Sequence, residues 1–241
     1  MHRFSSILEA RSSVWVAAGY VFRVALFLSP FPTVKLIIKK KSTGSYSAFT
    51  YVCTILNCVV WTFYGVRLDP NNKFLLTYIN GVGILVHSAY LTIHYLHASN
   101  HEKGRVVIMK VASLLTMSII IASAMFLVPQ NDRVTAVGWI CGVVNIVMHA
   151  APLSVVKQVI SSNDVSGMPF LVSFFSLLNS AIWLAFSALH KDAKVTMIPN
   201  GVATAFGVIE VLVYLMYFDN TGGNGSEDHS EPMARMEHIT A

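Results

Sequence analysis

Seven apolar runs lie at roughly 13–30, 46–66, 74–97, 106–128, 134–156, 169–189 and 195–218, each near the length of about 17 to 25 residues that a helix needs to cross a bilayer. No other feature constrains the fold as tightly. Hydrocarbon offers no hydrogen bonds to the backbone, so runs of this length must pair their N–H and C=O groups within themselves, as helices do. Composition agrees: the chain is 54% hydrophobic and only 12% charged, about half the charged share of a soluble domain. The connections are short and polar, such as "RLDPNNK" and "PQNDR", and leave no room for a soluble catalytic domain. The expected fold class is an all-α membrane protein with seven transmembrane helices.

The opening "MHRFSSILEARSS" carries Arg3, Glu9 and Arg11 and lacks the apolar core and small-residue cleavage site of a signal peptide, so the first helix is expected to direct insertion. Lys and Arg in "KLIIKKKS" and "HEKGR" place those loops in the cytosol, with residues 1–12 outside or lumenal and the C-terminus cytosolic. Arg67, Lys73, Lys191 and Lys194 weigh against this orientation. Much of the net charge of +5 sits in the cytosolic loops, and "KKK" at 39–41 reads as a topology signal rather than a nucleic-acid patch. Cys53, Cys58 and Cys141 lie within spans without zinc spacing and are expected to be packing residues. His94, His97 and His101 read as exposed interfacial histidines rather than a metal face. The polar, acidic tail 219–241 is expected to be disordered and cytosolic, which would leave its "NGS" sequon at Asn224 unused.

Comparing the chain with itself shows a repeat. Pro30 and Pro152, Lys35 and Lys157, Asn57 and Asn179, and Trp61 and Trp183 are each separated by 122 positions. "INGVG" at 79–83 matches "PNGVA" at 199–203 after a slip of two, aligning Asn80 with Asn200. The halves are expected at 13–97 and 134–218, three helices each, with 98–133 as a linker holding the fourth helix. One extra crossing gives both halves the same orientation, making a 3+1+3 arrangement of parallel triple-helix repeats. A carboxamide buried in hydrocarbon without partners costs about 4 to 8 kcal/mol on a cyclohexane scale, so Asn57 and Asn179 are expected to face each other across a wet central cavity.

"FLSPFPTVKLIIKKKSTGSYS" followed by "YVCTILNCVVWTFYG", and "AAPLSVVKQVI" followed by "GMPFLVSFF" and "IPNG", resemble the SWEET sugar transporters from about Gly19 to Tyr217. That family is itself a known instance of parallel repeats. The resemblance implies facilitated diffusion of mono- or disaccharides (glucose, fructose or sucrose) by alternating access, with no cofactor and no metal. It implies that Asn80 and Asn200 hydrogen-bond the sugar and that Trp61 and Trp183 close on its faces. Asn57, Asn145 and Asn179 match positions lining the same pocket, and Met148 matches a position linked to sugar size, here favouring a hexose. Pro30, Pro152 and Pro169 match three of four hinge prolines, and Thr50 stands where the fourth would be, which returns a backbone donor and would stiffen gating. The host is expected to be a plasma or vacuolar membrane; nothing in the sequence decides whether the chain forms a homo-oligomer.

Four positions besides Thr50 depart from the family pattern: Tyr20, Arg23, His87 and Glu210. Arg23 lies seven residues before Pro30, about 10 Å along a helix rising 1.5 Å per residue. A charge at that depth must find water, sugar hydroxyls or an acid such as Glu210, and it either contacts substrate or obstructs it; obstruction is the favoured reading, since Arg23 and Tyr20 replace two small polar residues. His87 and Glu210 keep open a proton-coupled carrier of the PQ-loop type for another small metabolite, and the departures together also allow a transport-impaired member. A seven-helix receptor has no such repeat, and an intramembrane enzyme would need a Ser–His pair, an Asp dyad or an HExxH helix, none of which the sequence presents.

Overall fold

The computed structural model describes residues 2–68, 73–165, 167–189 and 194–224. The described residues form nine α-helices and one 3₁₀ turn: α1 (His2–Leu28), α2 (Phe31–Lys40), α3 (Phe49–Leu68), α4 (Lys73–His97), α5 (Asn100–Leu127), the turn Gln130–Asp132, α6 (Arg133–Ala150), α7 (Leu153–Ser162), α8 (Phe170–Ala188) and α9 (Lys194–Asn224). They make seven spans long and apolar enough to cross a membrane, because α1 with α2 and α6 with α7 each form one span interrupted at a proline.

Those two interruptions explain why the first and fifth spans run beyond their expected ends, to Lys40 and Ser162. Proline lacks an N–H and stops the helix before it, yet its fixed φ suits the start of the next one. Pro30 (φ −73°, ψ −10°) and Pro152 (φ −68°, ψ −18°) accordingly cap ten-residue helices, and their carbonyls accept from Val34 and Val156. Each short helix ends on a residue in the left-handed region, Lys41 at φ 52° and Asn163 at φ 54°, again 122 positions apart. The repeat is thus present in backbone conformation as well as in residue identity.

Packing follows the same symmetry. The first helix of each half lies against the second helix of the other, α1 on α8 and α6 on α3, while α3 pairs with α4 and α8 with α9 inside the halves. Val60 on α3, Ala124 on α5 and Val137, Cys141 and Val144 on α6 form one buried cluster that ties the halves and the linker together. The linker α5 touches α3, α4 and α6 and is exposed along most of its length. Its start at Asn100, earlier than expected, is fixed by a capping box: Ser99 Oγ accepts from the Glu102 N–H at 3.3 Å while Glu102 Oε2 accepts from the Ser99 N–H at 3.1 Å. That "SNHE" signature is readable in the sequence. Large apolar side chains such as Leu85, Ile108 and Phe126 point outward, as a lipid-facing surface requires.

Two expectations are revised and a third holds. Residues 219–224 continue α9 rather than joining a disordered tail, and 225–241 lie outside the described residues. His94 is not exposed at an interface: it is buried and its Nε2 bonds the Tyr46 carbonyl at 2.9 Å, holding the α2–α3 loop against α4. The three cysteines are free and buried, as packing residues are.

Close helix approach at two glycines sets the spacing of the second half. Pro199 deprives the Val195 carbonyl of its helical donor, and Gly142 makes room for both: a Cβ there would stand 2.6 Å from Pro199 Cγ and 3.3 Å from Val195 O. At Gly207 a Cβ would meet the Leu177 backbone at 2.9 Å. Backbone cannot swing aside as a side chain can, so Gly207→Ala should push α9 off α8 and cost about 1–3 kcal/mol. Gly81→Ala, with nothing within 4 Å, should gain about 0.5–1 kcal/mol from helix propensity. Thermal melts of the two variants in detergent should therefore shift in opposite directions.

Candidate functional site: a cavity between the repeats

Every span except α5 sends a side chain to one central cavity. Its wall is mostly made of repeat-related pairs: Trp61 with Trp183 and Arg23 with Asn145, 122 positions apart, and Asn80 with Asn200 and Leu76 with Thr196, 120 apart. Tyr20 and Ile79 complete it without such partners, because their counterparts Gly142 and Pro199 pack on each other. The cavity has a volume of about 90 Å³, enough for several waters at about 10–15 Å³ each.

The two central asparagines are held alike. Asn80 Nδ2 donates to the Leu76 carbonyl and Asn200 Nδ2 to the Thr196 carbonyl, both at 2.8 Å and both one turn back. A carbonyl can only accept, so these bonds fix each amide with its nitrogen tied down and its oxygen turned the other way. From there the halves differ. Arg23 Nη2 donates to Asn80 Oδ1 at 2.7 Å, and no described residue donates to Asn200 Oδ1. Arg23 is 8% exposed, its guanidinium carbon stands 5.4 Å from the Phe27 ring centroid, and its Nε has no partner.

Both indoles are partly exposed and braced from behind or beside. Trp183 meets Tyr20 and Phe186 edge-on, each at 5.7 Å between centroids, and Trp61 meets Tyr64 in the same way at 5.7 Å. Aromatic pairs in this geometry restrict ring rotation as well as adding contact.

Asn57 and Asn179 do not face each other across the cavity. They are 0% and 1% exposed, and neither lines it. Each precedes its tryptophan by one turn, which is about 6 Å along the axis on nearly the same face, so the pair sits in a packed layer below the cavity. Both polar atoms of the Asn57 amide and Oδ1 of Asn179 lack a partner among the described residues. Met148 is likewise outside the wall, buried against Cys53 and Ala151.

Beyond that layer lies a second recess of about 40 Å³, and it brings together all four hinge positions, Pro30, Thr50, Pro152 and Pro169. Thr50 is the second residue of α3, where a backbone N–H has no acceptor inside the helix. Threonine there therefore does not return a helical hydrogen bond that proline would have removed, which takes away the physical ground for a stiffer hinge.

The ionisable departures are spread apart. His87 is buried among Phe27, Tyr51 and Tyr90, with Nδ1 bonded to the Gly83 carbonyl at 3.2 Å. Glu210 is fully buried, with the Ser173 hydroxyl as the polar group beside it. It is not the partner of Arg23, which bonds Asn80 and lies beside the Cys58 thiol. The Arg23–Asn80 bond joins residues 57 positions apart and leaves no trace in local spacing.

Two repeated three-helix units enclosing a polar and aromatic cavity at their interface define a membrane carrier. Comparison with known proteins makes the class specific. A family model described as "Sugar efflux transporter for intercellular exchange" matches twice, over residues 14–102 and 135–222. The Arabidopsis thaliana bidirectional sugar transporter SWEET7 is 36% identical over 95% of this chain and 89% of its own length, and SWEET5 of the same plant is 34% identical over 92% of each. A solved eukaryotic SWEET transporter superposes with a TM-score of 0.69 at 29% identity, covering 86% of this chain and 97% of its own. The chain belongs to this family of sugar transporters.

Removing the amide of Asn80 would leave the Arg23 guanidinium with the weakly polar Cys58 thiol in place of an amide oxygen, whereas removing that of Asn200 strands no charge. Hydrogen bonds to charged groups contribute about 1.5–3 kcal/mol, so Asn80→Ala should melt lower than Asn200→Ala by about that much. In an Arg23→Ala background the difference should vanish, which a double-mutant cycle on thermal stability reads directly.

Proposed function

We propose that this chain is a bidirectional sugar uniporter that carries sugars down their gradient by alternating access, needs no cofactor and favours hexoses. The observation that carries the proposal is the cavity itself, where both halves contribute an amide and an indole to one space. A sugar presents hydroxyls at its edges and weakly polar C–H faces, and it needs directional hydrogen-bonding groups for the first and flat apolar surface for the second. Asn80, Asn200 and Asn145 supply the first and Trp61 and Trp183 the second. The family description and the relatives' names point to the same substrate class.

The layer holding Asn57 and Asn179 supports the alternating part of the mechanism. A buried amide without partners costs about 1–3 kcal/mol in proteins. Opening the layer toward the hinge recess would hydrate these groups or bring them to the sugar, so the closed layer holds part of the energy that opening recovers. The moving units are then residues 13–97 and 134–218, joined through the linker of 98–133 and pivoting at Pro30, Thr50, Pro152 and Pro169. The protein is integral and multi-pass; its Lys and Arg distribution favours residues 1–12 outside or lumenal and a cytosolic C-terminus.

Uptake of labelled glucose, fructose and sucrose into proteoliposomes tests the proposal. Internal sugar should level off at the external concentration and be indifferent to an imposed pH gradient; accumulation above it would instead establish a proton-coupled carrier. Asn200→Ala and Asn80→Ala should insert and bring uptake to background, and undiminished transport by either would remove that residue from the site. Thr50→Pro should cost under about 1 kcal/mol of stability, because the lost N–H is one a helix start leaves unpaired. Since Thr50 lies in the hinge recess, outside the cavity wall, and its N–H closes no helical bond, the variant should keep both the maximal rate and the half-saturation concentration near those of the parent chain.

A further inference from the structure

The cavity wall holds a full positive charge that the carriage of a neutral sugar does not use. Arg23 is more than nine-tenths buried, its Nε is unpartnered, and the polar groups beside it, the Asn80 amide and the Cys58 thiol, carry no compensating charge. Among the described residues no carboxylate lines the cavity. Its repeat counterpart, Asn145, is neutral, so the charge belongs to one half alone. Ionisable groups within a span ordinarily pair with a partner or mark a ligand path, because hydrocarbon cannot solvate them.

The charge also inverts the hydrogen-bonding character of its half of the site. Asn80 has one amide hydrogen on the Leu76 carbonyl and one lone pair of its oxygen on Arg23, so the guanidinium hydrogens and the second amide hydrogen tilt that side toward donors. Asn200 keeps its Oδ1 available. A hydroxyl, which both donates and accepts, is served by either side. A carboxylate only accepts, and a guanidinium presents donors in a planar fork that matches it. A single guanidinium with no second cation in the wall balances one negative charge, which favours a carboxylate over a dianionic phosphate.

From this we propose that the preferred guest is a monosaccharide bearing a carboxylate, with Arg23 as its counter-charge and Asn200 on the hydroxyls of the opposite edge. The inference rests on the sugar-carrier reading and narrows it to acidic sugars. Arg23 then sets specificity: it opposes a neutral hexose, which must leave the guanidinium uncompensated, and recruits the acid.

The test uses the full chain in proteoliposomes with labelled glucuronate, glucose and glucose 6-phosphate. Glucuronate should half-saturate at a concentration about tenfold or more below that of glucose and should compete with it, since a site built around a polar group discriminates strongly against the analogue that lacks it. An inside-positive potential, set with valinomycin and potassium, should speed glucuronate entry and leave glucose entry unaltered, because only the acid moves net charge. Arg23→Ser should invert the preference, raising glucose uptake and weakening glucuronate by about tenfold or more. Arg23→Lys keeps the charge and should keep a preference for glucuronate, which preserves the comparison if the serine variant does not fold. Glucose uptake with no transport or competition by glucuronate would overturn this inference and leave the uniporter standing. A preference for glucose 6-phosphate would overturn the carboxylate assignment, and failure of all three compounds to enter would overturn the uniporter as well.

Discussion

Hydrocarbon supplies no hydrogen bonds, and almost every feature of this chain answers to that deficit. It makes each span helical. It also determines where the helices can break: Pro30 and Pro152 end one helix and begin another, so that the lost N–H falls where a new helix would leave it unpaired in any case. Within α9, Pro199 cannot use that device, and the carbonyl it strands, that of Val195, is accommodated against Gly142. Polar side chains follow the same rule. Asn80 and Asn200 settle one amide hydrogen each on the carbonyl a turn back and reserve their oxygens for other partners.

Repetition turns this local chemistry into a site. The same solution placed twice, 122 positions apart for most of its length, brings the first helix of each half onto the second helix of the other. The groups that face inward therefore arrive in pairs around one axis. The linker α5 keeps the halves parallel and remains on the flank, its small buried contribution centred on Ala124. Cavity, packed layer and hinge recess succeed one another along that axis because Asn80, Asn57 and Thr50 and their partners sit at successive depths of their helices.

Much of this was legible in the residues. Span number, the repeat and the pairing of Asn80 with Asn200 and Trp61 with Trp183 follow from hydropathy and self-comparison, since both depend on spacing along the chain. The continuation of two spans past their prolines was not, because proline can end a helix or open one and the sequence does not distinguish them. Asn57 and Asn179 share a helix face with the cavity tryptophans, yet periodicity fixes an angle and not a depth; packing, which the sequence does not display, placed them below the cavity. His94 looked like one of three interfacial histidines, and only a contact with a loop 48 residues away buries it. The bond from Arg23 to Asn80 is invisible for the same reason.

The cavity's departures from symmetry have a consequence for how a guest sits. In a space with a true twofold axis, a ligand could enter in either of two equivalent poses and exchange them freely. Arg23 facing Asn145, and Tyr20 and Ile79 facing positions where Gly142 and Pro199 have withdrawn into their own contact, make those two poses unequal. A guest in that space has one end favoured toward one half, and the site is polar at the scale of a single ring. Discrimination between stereoisomers that differ at one end of the molecule then requires no additional contact.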